Sequence, residues 1–128
     1  PVPPARWGEA ALAHLGAAAA QRGWTVGHAK VAIGAGGGIT KLSLVDAARP
    51  PVRDLDASAP LLGGTPVTAV LNARIACRPD ELDAAVEAAV AAADVAAGTV
   101  STAATGPPAS FAPSYPAPTH RLPAAHRA

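Results

Sequence analysis

The sequence predicts an α+β fold: a two-layer sandwich in which two helices cover one face of a mainly antiparallel sheet of three to four strands. Three observations carry this expectation. First, Thr65 to Cys77 alternates, with Val67, Ala69, Leu71, Ala73, Ile75 and Cys77 on one side. Thr68, Asn72 and Arg74 fall on the other side, and Val70 is the exception. That is the period of a strand with one buried face. Second, Pro79-Asp-Glu-Leu82 follows and opens an apolar stripe at helical spacing: Leu82, Ala85, Val86, Ala89, Val90 and Ala93. Third, the glycine-rich run Gly34 to Gly38 separates two further alternating segments, which is a hairpin pattern.

Taken in order, residues 1–4 read as a linker, residues 5–105 as the α+β domain and residues 106–128 as an extended Pro-rich C-terminal tail. Ala5 to Arg22 is helical, because Trp7, Ala11, Leu12, Leu15 and Ala18/Ala19 recur on one face, and Gly23 is its stop. Trp24 to Ile33 is a strand. Gly27, Ala29, Val31 and Ile33 are expected on one face, and Val26, His28 and Lys30 on the other. Ile39 to Asp46 is the next strand, with Leu42 and Leu44 inward and Lys41 and Ser43 outward. The prolines and glycines of Ala47 to Gly64 predict an irregular loop with a short edge segment near Val52 to Leu55. Pro79 suits a first helical turn, Asp80, Glu81 and Asp83 favour a helix N-terminus, and Gly98 ends the helix. Thr99 to Thr105 is expected as a fourth strand. Prolines recurring from Pro107 to Pro123 make the rest an extended tail.

Composition bounds the function. A chain of 128 residues is one domain at most. Half of it is apolar, yet the aromatics are only Trp7, Trp24, Phe111 and Tyr115, and roughly a quarter is alanine. Alanine buries little area per residue, so the core should be thin. A net charge of +1 lacks the basic excess of a dedicated nucleic-acid binder, so no nucleic-acid partner is expected. The single cysteine excludes an intrachain disulfide and a cysteine zinc cage. No uncharged apolar run is long enough to span a membrane, and no secretory pattern opens the chain. Cytoplasm is the default compartment. The absence of Met and the Pro-Val-Pro-Pro start read as a segment of a longer protein.

Candidate sites are few. Gly34 to Gly38 lacks the Gly-Lys-Ser/Thr of a phosphate loop, and a strand follows it instead of a helix. It reads as a flexible hairpin turn. His14, His28, His120, His126 and Cys77 show no short zinc-ligand spacing, and Cys77 falls on the core side. No metal or other cofactor is expected in this chain. Nothing resembles a nucleophile elbow, and Glu81, Asp83, Glu87 and Asp94 read as a solvated helix face. The chain is therefore not expected to be an enzyme. Two features remain. The wet sheet face gathers His28, Lys30, Lys41, Ser43, Asn72 and Arg74, with Trp24 as the only aromatic, at its end. Of these, His28, Lys30, Lys41, Asn72 and Arg74 are candidates for facing a partner or an anion. In the tail, Phe111 and Tyr115, with His120 and Arg121, are candidate anchors for docking an extended segment.

The tail Phe111-Ala-Pro-Ser-Tyr-Pro-Ala-Pro-Thr-His-Arg121 resembles the C-terminal end of a subgroup of CobW-type GTP-binding proteins. Val26-Gly-His-Ala-Lys30 and Leu71-Asn-Ala-Arg74, before the Pro-Asp-Glu-Leu helix start, are similar too, so the likeness covers most of the chain. In that family a P-loop GTPase domain precedes a smaller α/β C-terminal domain, and the family is associated with metal delivery. Its nucleotide and metal motifs lie in the GTPase domain and none occurs here, so no functional residue carries over. The resemblance implies a non-catalytic accessory or interaction domain of a GTP-dependent, metallochaperone-like protein. Its partners would be a GTPase domain N-terminal to this segment and a protein client. The alternative is an independent module that binds a small ligand or anion on the basic sheet face.

Overall fold

In the computed structural model, residues 2–63 and 67–102 are described in full and residues 125–127 as backbone. The element order is α1 (Pro4–Arg22), β1 (Thr25–Ala35), β2 (Gly38–Leu44), β3 (Val52–Asp56), β4 (Thr68–Ala76), α2 (Pro79–Ala97) and β5 (Ala125–Arg127). The sheet order is β3-β2-β1-β4-β5. Strands β1 to β4 pair antiparallel, and β5 joins β4 in parallel. The expected α+β arrangement is present.

Strand β1 is central, so its inward residues have neighbours on both sides. Val31 stands between Leu42 and Leu71, and Ile33 between Thr40 and Ala69. Ala29, Val31, Ile33, Leu42, Leu44, Leu71, Ala73 and Ile75 form one cluster with Trp7, Leu12 and Leu15 of α1 and Leu82, Val86, Ala89 and Ala93 of α2. Both helices therefore cover the same sheet face. They run antiparallel: Trp7 near the start of α1 donates to Asp94 near the end of α2, while Arg22 and Glu81 meet at the opposite ends. A Cβ on Gly8 would stand 2.6 Å from Leu42 Cδ1, so the bare glycine lets α1 lie close on β2.

The helix boundaries follow the local chemistry. Gly23 and Gly98 adopt φ of 70° and 68°, and their N–H groups cap α1 and α2. At the start of α2, Pro79 occupies the first turn and Glu81 Oε1 accepts the Arg78 N–H at 3.2 Å. The first residues also belong to the fold. Val2 pairs with Leu61, whose N–H donates to Val2 O at 2.7 Å, and Leu61 is buried.

The structure departs from the sequence expectations in three places. The expected edge segment near Val52 is present as β3, but the strand expected from Thr99 does not form at residues 99–102. Instead Asp94 gathers that segment. Its Oδ1 accepts from Trp7 Nε1 at 3.0 Å, Thr99 Oγ1 at 2.6 Å and Ser101 Oγ at 2.8 Å, and its Oδ2 accepts from Ser101 N at 3.0 Å. Asp94 is thus a clamp between the two helices, not a solvated surface acid. The second departure is a bulge at Gly27. Val26 stands opposite Ile75 and packs against the core, whereas His28 stands opposite Arg74. The extra residue reverses the face of everything before it, so Val26 leaves the wet face. Trp24 also packs against the core, with the Arg22 guanidinium 5.1 Å above its ring.

The third concerns the glycine run. Gly36 and Gly37, at φ of 61° and 79°, make a two-residue hairpin turn between Ala35 and Gly38. The turn is packed, not free. The segment after β3 crosses it: Ala57 N–H bonds Ile39 O, Ala59 N–H bonds Ala35 O, and a side chain on Gly38 would collide with Ala57 O. Beneath the crossing, the buried Thr40 hydroxyl donates to Ser58 Oγ at 2.8 Å, and Ser58 donates in turn to Ile33 O at 3.1 Å.

Two stability predictions follow from this packing. Leu71→Ala empties a fully buried central position and should cost about 2–5 kcal/mol, whereas Val95→Ala, at 86% exposure, should change stability by less than about 0.5 kcal/mol. Urea unfolding of both variants measures the contrast, and equal losses would refute the assigned core. Asp94→Ala should cost about 1–3 kcal/mol by orphaning its donors. Burial opposes the Asp94 charge, but the hydrogen bonds from Thr99, Trp7 and Ser101 outweigh it and hold the pKa below its ordinary 3.8. The clamp's contribution is therefore complete above that value and lost as pH falls through the lowered pKa. Acid unfolding of wild type and Asp94→Ala should accordingly converge at the acid end.

Candidate functional site

Because the helices cover one sheet face, the other is left open among the described residues. The register maps it strand by strand. Val52 and Leu55 of β3 stand opposite Ser43 and Lys41 of β2. Ser43 and Lys41 stand opposite Lys30 and Ala32 of β1, which face Asn72 and Val70 of β4. His28 and Arg74 form the next cross-strand pair, and Ile39, Gly34 and Thr68 close the far end. The sequence-predicted residues His28, Lys30, Lys41, Asn72 and Arg74 are therefore brought together on one surface. Phe111, Tyr115, His120 and Arg121 lie outside the described residues.

The open face has two zones. Around Lys41 it is apolar, with Leu55, Ile39 and Val52 at 45%, 44% and 55% exposure and with Ala32 and Val70 half-buried. These exposed apolar residues were missed in the sequence, where Ile39 reads as the start of a strand and Val52 and Leu55 as an irregular edge. Their only signal was the alternation about Lys41 and Arg53. The second zone is basic: Arg74 beside His28, with Lys30 two residues along β1. A protonated His28 would meet Arg74 in cross-strand register, where like charges repel. None of His28, Lys30, Lys41 or Arg74 makes an ion pair or side-chain hydrogen bond with another described residue.

Charge is segregated between the two layers. All nine acidic residues fall among the described residues, and none occupies a register position on the open face. Glu9 pairs with Arg53 at 2.7 Å, Asp56 pairs with Arg53 at 3.2 Å, and Asp80, Glu81, Asp83, Glu87 and Asp94 belong to α2. A molecule of net charge +1 thus presents one face whose paired positions hold basic residues and no acid.

The electrostatics register on His28. Burial, then the positive charges of Lys30 and Arg74, push its pKa below 6.5. The Asn72 side chain is half-buried, and its Oδ1 is enclosed without a hydrogen-bond partner among the described residues. Cys77 packs partly against the core, and burial, with Glu81 adding, raises its pKa, which disfavours the thiolate. Among the described residues no three His, Cys, Asp or Glu side chains converge, and no helix is long and apolar enough to cross a membrane. No protein-family model, curated protein or solved structure matches the chain.

The lowered His28 pKa has a definite sign. The unfolded chain takes up the His28 proton first on acidification, so stability is full above about pH 7 and falls as pH drops through 6.5 toward the folded value. Thermal unfolding at a series of pH values should show this decline, and His28→Gln should flatten it. An equally steep decline in the variant would place the titration elsewhere.

Proposed function

We propose that this chain is a non-catalytic interaction domain that binds an acidic protein partner through the open face of its sheet. The observation that carries this reading is the segregation of charge: no acid occupies a paired register position on that face, while His28, Lys30, Lys41 and Arg74 stand on it unpaired among the described residues. The exposed Ile39, Val52 and Leu55 supply apolar area beside those cations, which is the composition of a protein contact. A second copy of the chain is disfavoured as occupant, because two such faces would set cations against cations. A nucleic acid is disfavoured because no aromatic among the described residues is placed on this face to stack a base. The resemblance to CobW-type proteins supplies candidates for the partner: the GTPase domain expected N-terminal to this segment, or that protein's client.

The test uses the fact that Lys30 and Lys41 are the chain's two lysines and share this face. An amine-reactive crosslinker added to the chain in a lysate of its own source cells should join Lys30 or Lys41 to an acidic protein, identified by mass spectrometry. An Arg74→Glu/Leu55→Asp variant should lose that crosslink, as should the wild type at high salt. A crosslinked partner that is basic, or that the variant retains, would overturn the reading.

A further inference from the structure

We propose that His28, Lys30 and Arg74 form a subsite on the open face for a phosphate group. The inference rests on the open-face reading, but its probe is phosphate and not the protein partner, so the two can fail separately.

The geometry comes from the register. Lys30 is flanked directly by Ser43 on β2 and Asn72 on β4, and His28 is flanked by Arg74. Directly opposed residues hold their Cβ atoms about 4.5–5.5 Å apart, and residues two apart on a strand are separated by about 7 Å. His28, Lys30, Asn72 and Arg74 thus mark out a patch the size of one tetrahedral oxyanion, with Ser43 outside it. Arg74 and Lys30 supply fixed positive donors. The bulge at Gly27 is what places His28, and not its neighbour, beside Arg74.

Charge and shape select among anions. Arg74 offers a planar fork of donors and Lys30 an ammonium. A phosphate group carries more charge and more acceptor oxygens than a carboxylate, so it can engage both of them together with His28.

His28 couples the subsite to pH. The charged groups about it are Arg74 from β4 and Lys30 from its own strand, with Lys41 on β2 farther along; β5 brings His126 to the register position beside Asn72. No carboxylate occupies a register position on this face. A bound phosphate supplies the missing negative charge, so protonation of His28 becomes easier and binding strengthens as pH falls.

NMR of the His28 ring in the full chain, titrated with pH in the presence and absence of inorganic phosphate, tests this. Phosphate should raise the His28 midpoint and bind more tightly than acetate. Arg74→Gln should weaken phosphate binding by about tenfold, whereas Arg6→Gln, at an exposed cation on α1 and so on the helical layer, should leave it unchanged. A phosphoserine peptide bound more tightly than inorganic phosphate would make a phosphorylated partner the source, and the reverse would make it free phosphate. An unmoved His28 midpoint, acetate equal to phosphate, or equal losses in the two arginine variants would each overturn the subsite.

Discussion

The structure depends on the burial of one sheet face beneath two antiparallel helices. Val31 and Ile33 of the central strand, with Leu42, Leu44, Leu71 and Ile75 beside them, lose their contact with water only because α1 and α2 lie over them together. The helices can share that face because their contact surfaces are small, with Ala11, Ala19, Ala89 and Ala93 fully buried. The core is thin, as an alanine-rich chain requires, and polar clamps reinforce its margins. Asp94 ties the end of α2 to Trp7, and Ser58 with Thr40 ties the crossing segment to the hairpin.

From that one-sided burial follows the polarity of the molecule. With both helices on one side, the acids of α2 and Glu9 of α1 are carried on the helical layer. The outward positions of β1, β2 and β4 are left with His28, Lys30, Lys41 and Arg74. A net charge near zero conceals this separation, because charge summed over a chain says nothing about where a fold places each sign. The binding proposals therefore rest on a field that exists only in the folded state. They concern one surface at two scales: a protein contact across its apolar and basic zones, and a phosphate group within the basic zone.

The sequence by itself determined the elements and most of their faces. The alternation of Leu71, Ala73 and Ile75, the helical stripe from Leu82 to Ala93 and the stops at Gly23 and Gly98 are local signals, set by backbone period and by the conformations glycine permits. They sufficed to place His28, Lys30, Lys41, Asn72 and Arg74 on one surface. Only the tertiary structure decided what depends on pairing between distant segments. The bulge at Gly27 turns Val26 and Trp24 toward the core, and a one-residue shift in register leaves no mark in a single strand's alternation. The pairing of β3 with β2 exposes Val52 and Leu55 beside Lys41. The antiparallel approach of the helices converts Asp94 from an apparent surface acid into a clamp on Trp7, 87 residues away in the chain. In each case the deciding contact joins residues far apart in sequence, and a period of two or of 3.6 residues carries no information about such a partner.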